Sequence, residues 1–280
     1  MRELSKQECK EISLDILIDI ADYCQKNNLT YYLSVGTLLG CIRHKGFIPW
    51  DDDIDIMMPR GDYRKLIDNY DGKYKIIDPH SGILYYSKAY DPRTVKYEPG
   101  VDYHKHKPYG VDIDIFPLDG IVNDKEILEK MYKKDRFLEL LLRLSNQPIF
   151  LRKNPLKAIN RIIPRIIGSK NIVRMIEKNA MRYDYETSDY VMRMRWSPHG
   201  FAGALPKEVY DIAYGEFEGH KFIIPKGYDL WLRTFFGDDY MVLPPEDKRT
   251  THYSKCYLLE DGEDIDSIKH LDDLDWHRGA

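Results

Sequence analysis

Cysteine is scarce in this 280-residue chain: Cys9, Cys24, Cys41 and Cys256 stand far apart, with no CxxC pair. That argues against a disulfide framework or a cysteine-ligated zinc site and suits reduced thiols. No apolar run approaches the ~18 residues that a membrane span needs. The opening MRELSKQECKEIS is too acidic and polar for a secretory signal. Basic charge is not in excess either. A formal net charge of −4 excludes a globally basic nucleic-acid binder, and no nucleic-acid partner is expected. Internal repeats and low-complexity tracts are also absent. What is present is ordinary globular composition, 43% hydrophobic and 31% charged, enough for one sizeable core with an appendage. The expected setting is the cytoplasm.

The apolar pattern gives alternating helices and strands. Ser5 and Glu8 have capping-box spacing, and Ile12, Ile16, Ile20 and Cys24 then follow one helical face until Asn27-Asn28. The β-rich YYLSV, Tyr31 to Val35, breaks at Gly36-Thr37, and LLGCIRHK can form a short helix. DIDIMM, Asp53 to Met58, alternates strictly and reads as a strand ended by Pro59, with a helix after it. Short strands are expected at YKII, LYYSKAY and TVKYE. VDIDIF, Val111 to Phe116, alternates again up to Pro117, and a long helix runs from Asn123, with Glu126 three residues on, to about Leu144. Prolines and Gly168 break residues 150–184 into short helices.

The acids carry the chemistry. Asp51, Asp52, Asp53 and Asp55 crowd four carboxylates into five residues, a repulsive arrangement that a divalent cation relieves. In a strand Asp53 and Asp55 share a face, joined by Asp51 if the strand starts early, while Asp52 points away. Asp112 and Asp114 repeat the pattern on the second strand. Two such strands side by side would form an all-oxygen pocket of the kind that hard Mg²⁺ prefers. The plain alternative is a set of edge-strand charges that discourage aggregation. An EF-hand is excluded, because Ile56 occupies its glycine position and Asp62 its glutamate position. Upstream, a Gly36-Thr37 turn between strand and helix can offer backbone N–H groups to phosphate.

This order of strand, Gly-Thr turn, helix, acidic strand and later third acid resembles the nucleotidyltransferase fold. GTLLGCIRHKGFIPWDDDIDIMMPRGDYRKL, VDIDIFPLDG and FEGHKFIIPKGYDLWLRTFFGDDYMVLPPEDKR together resemble the LicD family of phosphocholine transferases, whose wider relatives include the fukutins. The resemblance implies an α/β (α+β) fold, a mixed sheet flanked by helices with a helical insertion. Residues 1–150 would be the catalytic core, 151–200 the basic helical insertion and 201–280 the part that completes the catalytic domain. It further implies a phosphotransferase, dependent on Mg²⁺ (or Mn²⁺), that moves phosphocholine from CDP-choline to a sugar hydroxyl of a cell-surface glycan precursor. That precursor would be a teichoic acid or lipopolysaccharide, carried on a lipid.

Residue by residue, the resemblance makes Asp53 and Asp55 metal acids with Asp114 the third, all three catalytic, and Asp51 and Asp112 secondary metal candidates. The phosphate turn falls on Gly36 and Thr37. Arg43, His44 and Arg249 are donor-binding candidates, Lys45 fits a solvated loop equally well, and Lys248 and His252 close the last block. Asp114 would take the acceptor proton. A quaternary ammonium is held by aromatic faces, yet with 22 tyrosines and four tryptophans the choice among Tyr85, Tyr86, Tyr109, Trp196 and Trp231 stays open. Rival readings are another CDP-linked alcohol such as ribitol phosphate, a metal-dependent GT-A glycosyltransferase, and a non-catalytic glycan- or membrane-surface binder. Leu151 to Arg182 carries nine Lys/Arg against one acid, Glu177, interleaved with apolar residues at helical spacing. A core-facing helix with solvated cations and a peripheral contact with an anionic membrane, at its inner face, both fit that pattern.

Overall fold

The computed structural model describes residues 1–97, 108–147, 155–193, 203–249, 254–260 and 262–265, with the side chains of 155–159 left aside. Trp196 and His252 lie outside the described residues. After a short strand β1 (Arg2–Glu3), helix α1 (Lys6–Lys26) starts on the expected capping box, Ser5 and Glu8 bonding each other's backbone N–H. Ile16, Ile20 and Cys24 are fully buried along its inner face. Then come β2 (Tyr32–Leu33), α2 (Val35–Arg43), β3 (Asp55–Pro59) and α3 (Arg60–Asn69). β4 (Lys75–Ile77), β5 (Ser87–Tyr90), β6 (Thr94–Tyr97) and β7 (Asp112–Ile121) follow. Helices α4 (Lys125–Asn146), α5 (Pro155–Ile167) and α6 (Ser169–Ala180) lead to β8 (Tyr190–Met192) and β9 (Leu205–Pro206). The chain continues through β10 (Ile212–Phe217), β11 (His220–Pro225), α7 (Tyr228–Phe236) and β12 (Lys255–Leu258).

The main sheet runs β2-β3-β7-β5-β4, with β3 and β7 parallel at its centre and their other partners antiparallel. It is the mixed α/β architecture that the resemblance implies. Every residue of β3 is buried, as expected of a strand paired on both sides and covered on both faces. The core joins Ile16, Leu17 and Ile20 of α1 to Ile54, Ile56 and Ile115 of the sheet and Trp231 of α7. All four cysteines are buried and free. Among the described residues no helix is long and apolar enough to cross a membrane.

Several boundaries differ from the sequence reading. Pairing of β3 starts at Asp55, opposite Asp114, so Asp51 to Asp53 lie in the loop before the strand. Pro117 does not end β7. Asp114 donates its N–H to Ile54 O on the β3 side, so by alternation the N position of residue 117 faces the other edge, where β5 has ended and β8 has not begun. Its missing donor costs no ladder bond there. The N-cap of α4 is Asp124, which accepts from Ile127 N, one residue later than Asn123. α4 shares an apolar cluster with α6, Leu138 and Leu142 against Ile172, Val173 and Ile176, so the helical unit begins with α4, before residue 151.

Candidate active site

The acid-bearing loop ends where the sheet begins. Asp55 and Asp114 sit opposite each other at the same end of two neighbouring parallel strands. The entrance of α2 lies beside them, because Ser34 N bonds Asp55 O across β2 and β3. A cavity of about 610 Å³ opens there, walled by Asp51, Asp53, Asp55 and Asp114, by Val35 and Gly36 at the head of α2, and by Arg43, Arg193 and Lys248. Trp50, Tyr86, Phe116, Phe236 and Tyr240 give it aromatic walls.

The carboxylates are uncomfortable without a cation. Burial, then the charge and hydrogen bond of Asp53, push Asp51 up to about 8. Burial, then the charges of Asp53 and Asp114, push Asp55 well above the usual range. Burial also raises Asp114, against the pull of Lys88. An all-oxygen set strained by like charge suits a hard divalent cation, and Mg²⁺ needs only one or two carboxylates when substrate phosphates complete its shell. Among the described residues no group of three or more His, Cys, Asp or Glu is placed to hold a metal ion, so substrate phosphates would have to complete its shell.

Asp112 is placed differently. It is buried off the cavity, with Lys88 Nζ at 2.5 Å and Lys96 Nζ at 2.7 Å. Burial would raise it, but these two cations outweigh that and hold it below the usual range. It is an anchor for Lys88, whose Nζ also reaches Asp114 Oδ1 at 2.6 Å. Burial opposes the charge of Lys88, yet Asp112 and Asp114 keep it firmly protonated.

Gly36 lines the cavity because it lacks a side chain: a Cβ there would stand 2.5 Å from Asp51 Oδ2. Ser34, the N-cap of α2, makes no side-chain cap bond, so the first N–H groups of the helix are left for an anion. Val35 enters the helix at φ +43°, a strained conformation for a β-branched residue. Thr37 does not reach the cavity. Its hydroxyl accepts from Asp55 N at 2.8 Å and so fixes the acid strand against the helix.

Of the other expected residues, Arg43 lines the cavity and donates to Tyr240 O at 2.7 Å, holding the loop that forms the opposite wall. His44 stands edge-on to Trp50, outside the lining. Arg249 stacks its guanidinium 4.5 Å from the Trp50 ring and bonds Pro244 O, supporting the wall from behind. Lys248 reaches the cavity itself. Among the aromatic candidates Tyr86 lines it, whereas Tyr85 and Tyr109 do not, and Trp231 is core, stacked on Phe235 at 3.9 Å. The sequence reading missed Trp50, Lys88 and Arg193. Arg193, directly after β8, is buried with its guanidinium 3.9 Å from the Phe116 ring and its charge toward Asp55. The one local signal was the pair of basic residues in RMRW, which no spacing rule connects to Asp55.

Acids at one end of two parallel strands, with a helix head beside them, define a nucleotidyltransferase domain. Residues 28–141 match the family described as LicD/FKTN/FKRP, nucleotidyltransferase domain. Over 279 residues the chain is 31% identical to the lipopolysaccharide cholinephosphotransferase LicD of Haemophilus influenzae, a match covering 92% of this chain and 100% of that protein. The chain belongs to the LicD family. Shorter matches, 48% identical over 50 and 48 residues, join it to uncharacterized proteins of Rickettsia typhi and Rickettsia prowazekii, covering 18% and 17% of this chain and 16% and 18% of theirs.

Proposed function

We propose that this protein is a phosphotransferase that moves phosphocholine from CDP-choline to a sugar hydroxyl of a cell-surface glycan precursor. One observation carries the reading. Asp51, Asp53, Asp55 and Asp114 share a cavity with the head of α2, which has no side-chain cap, in a chain related over 92% of its length to a lipopolysaccharide cholinephosphotransferase.

Each residue then has a task. The N–H groups at Val35 and Gly36, with Lys248 and Arg193, bind and orient the donor diphosphate. Asp53 and Asp55, with Asp51 beside them, would hold Mg²⁺. The bound cation supplies charge neutralisation at the diphosphate and activation of the acceptor hydroxyl. Asp114, buried and so a stronger base than a solvated carboxylate, takes the acceptor proton, while Lys88 keeps it in place. Trp50, Tyr86 and Tyr240 offer aromatic faces for a quaternary ammonium, which has no hydrogen bond to give.

The test is a donor panel. CDP-choline, CDP-ribitol and UDP-sugars are each incubated with the protein, a glycan acceptor and Mg²⁺, with EDTA controls. Release of CMP from CDP-choline, lost in EDTA and restored by Mg²⁺, is the expected result. Turnover of CDP-ribitol instead would overturn the choline assignment, and turnover of UDP-sugars alone would overturn the phosphotransferase itself.

A further inference from the structure

We infer that the outward faces of α5 and α6 form a docking surface for an anionic lipid membrane. In α5, Ile162, Ile163 and Ile166 are 44%, 64% and 80% exposed. Three large aliphatic side chains within two turns therefore turn away from the core, the opposite of what a core-facing helix does. In α6 and just beyond it, Lys170, Arg174, Lys178 and Arg182 are all exposed, with Met175 and Met181 among them. Glu177, the single acid of this stretch, is turned inward. It bonds His80 Nε2 at 2.6 Å and lies 3.7 Å from Arg60 Nη1. The two helices, joined through Gly168, thus present cations and aliphatic groups to the outside with no carboxylate between them.

Charge and apolarity together choose the occupant. A nucleic acid would neutralise the cations but leave three isoleucines in water. A second copy of the chain would bring the same positive surface against itself. An anionic bilayer accommodates both groups: isoleucines enter the acyl boundary while Lys and Arg stay at the headgroups. At 13 residues α5 is about 20 Å long, too short for the ~30 Å hydrocarbon layer, so the helices lie in the interface. The inference is independent of which donor the cavity accepts.

The test uses the full chain in flotation with neutral phosphatidylcholine vesicles and with phosphatidylglycerol-rich vesicles. Binding is expected to the anionic vesicles alone, and to fade as salt shortens the Debye length from about 10 Å to about 3 Å. Each cation near such a surface strengthens binding roughly fivefold, so converting Lys170, Arg174, Lys178 and Arg182 to Glu should weaken it more than about a hundredfold. The double change Ile163→Ser and Ile166→Ser should weaken binding while keeping its salt dependence. All six positions are exposed, so both variants should melt like the parent and turn over a short soluble acceptor as the parent does. A parent protein that ignores anionic vesicles at low salt overturns the inference. So does undiminished binding by the charge-reversed variant, or a vesicle-free self-association that the isoleucine changes abolish, which would assign the face to a second copy.

Discussion

Asp55 stands where an ionised carboxylate is hard to keep: it is 8% exposed and lies among three other acids, Asp53, Asp114 and Asp51. Asp55→Asn removes the charge and keeps the shape, so it should abolish transfer while leaving Tm equal to or above the parent's. A variant with full turnover would remove Asp55 from the site. Asp51 gives the same strain a pH dependence. Folded, it holds its proton up to about pH 8; unfolded, it releases it near pH 4. Between those values the folded state binds the extra proton, so this group's contribution to stability is greatest at low pH and is lost as pH rises through the window. In EDTA, Asp51→Asn should therefore gain Tm relative to the parent from about pH 5 to about pH 8, a trend read from paired melts. A difference that stays flat, or narrows, would show that Asp51 titrates normally. At this scale the acids were legible, because their spacing and alternation are local. Lys88 was not. It faces Asp114 only through the β5–β7 register, and register depends on residues far apart in the chain.

The elements show the same division. α1 was legible to its cap, since Ser5, Glu8 and the apolar face all lie in one stretch. α2 was read one turn late. Its first residue is Val35, so Gly36 and Thr37 belong to the helix's first turn and do not precede it. That shift changes the role of Thr37. A threonine in a phosphate turn would direct its hydroxyl at the ligand; this one accepts from Asp55 N within a buried contact. Thr37→Val should leave that N–H unsatisfied and lower stability by about 1–3 kcal/mol, seen as a lower urea midpoint, with Thr37→Ser restoring it. If Thr37→Val raised the donor KM at unchanged stability, the hydroxyl would be a phosphate ligand after all. The β10–β11 hairpin went unread. Glu218-Gly219, at φ +49° and +76°, is the two-residue primed turn between paired strands, with Glu where Asn or Asp usually marks such a turn. Its tip holds the loop leading to the acids, for Glu218 Oε1 accepts from Phe47 N and Glu218 N donates to Lys45 O.

Across the whole molecule the helical unit is tied to the catalytic sheet by an apolar cluster, Leu128, Met131 and Ala180 against Ile121 and Met192, and by polar ties that were invisible in the sequence. Arg60 forks onto Asp119 of β7 at 2.7 and 2.6 Å, and Glu177 of α6 joins Arg60 to His80. Asn146 donates to Gly82 O and Ile83 O. Gly82 leaves no room for a side chain at the start of α6: it sits at φ +84°, and a Cβ there would meet Ser169 Oγ at 2.6 Å and Lys170 N at 2.9 Å. Beyond α6 the chain enters β8, pairs with β7 at Asp119 to Ile121, and delivers Arg193 to the cavity. Loosening the start of α6 should therefore be felt at the site. Gly82→Ala adds left-handed strain of about 1–2 kcal/mol and pushes on the α6 backbone, a cost that detachment of the helix from residue 82 relieves. Native-state hydrogen exchange should then show faster exchange across α6 and β8, with the β3 and β7 amides as protected as in the parent. Transfer should fall although no residue lining the cavity has changed. Faster exchange everywhere would mean that the helical unit and the sheet open only together, and unchanged exchange would mean that Gly82 is no tie at all.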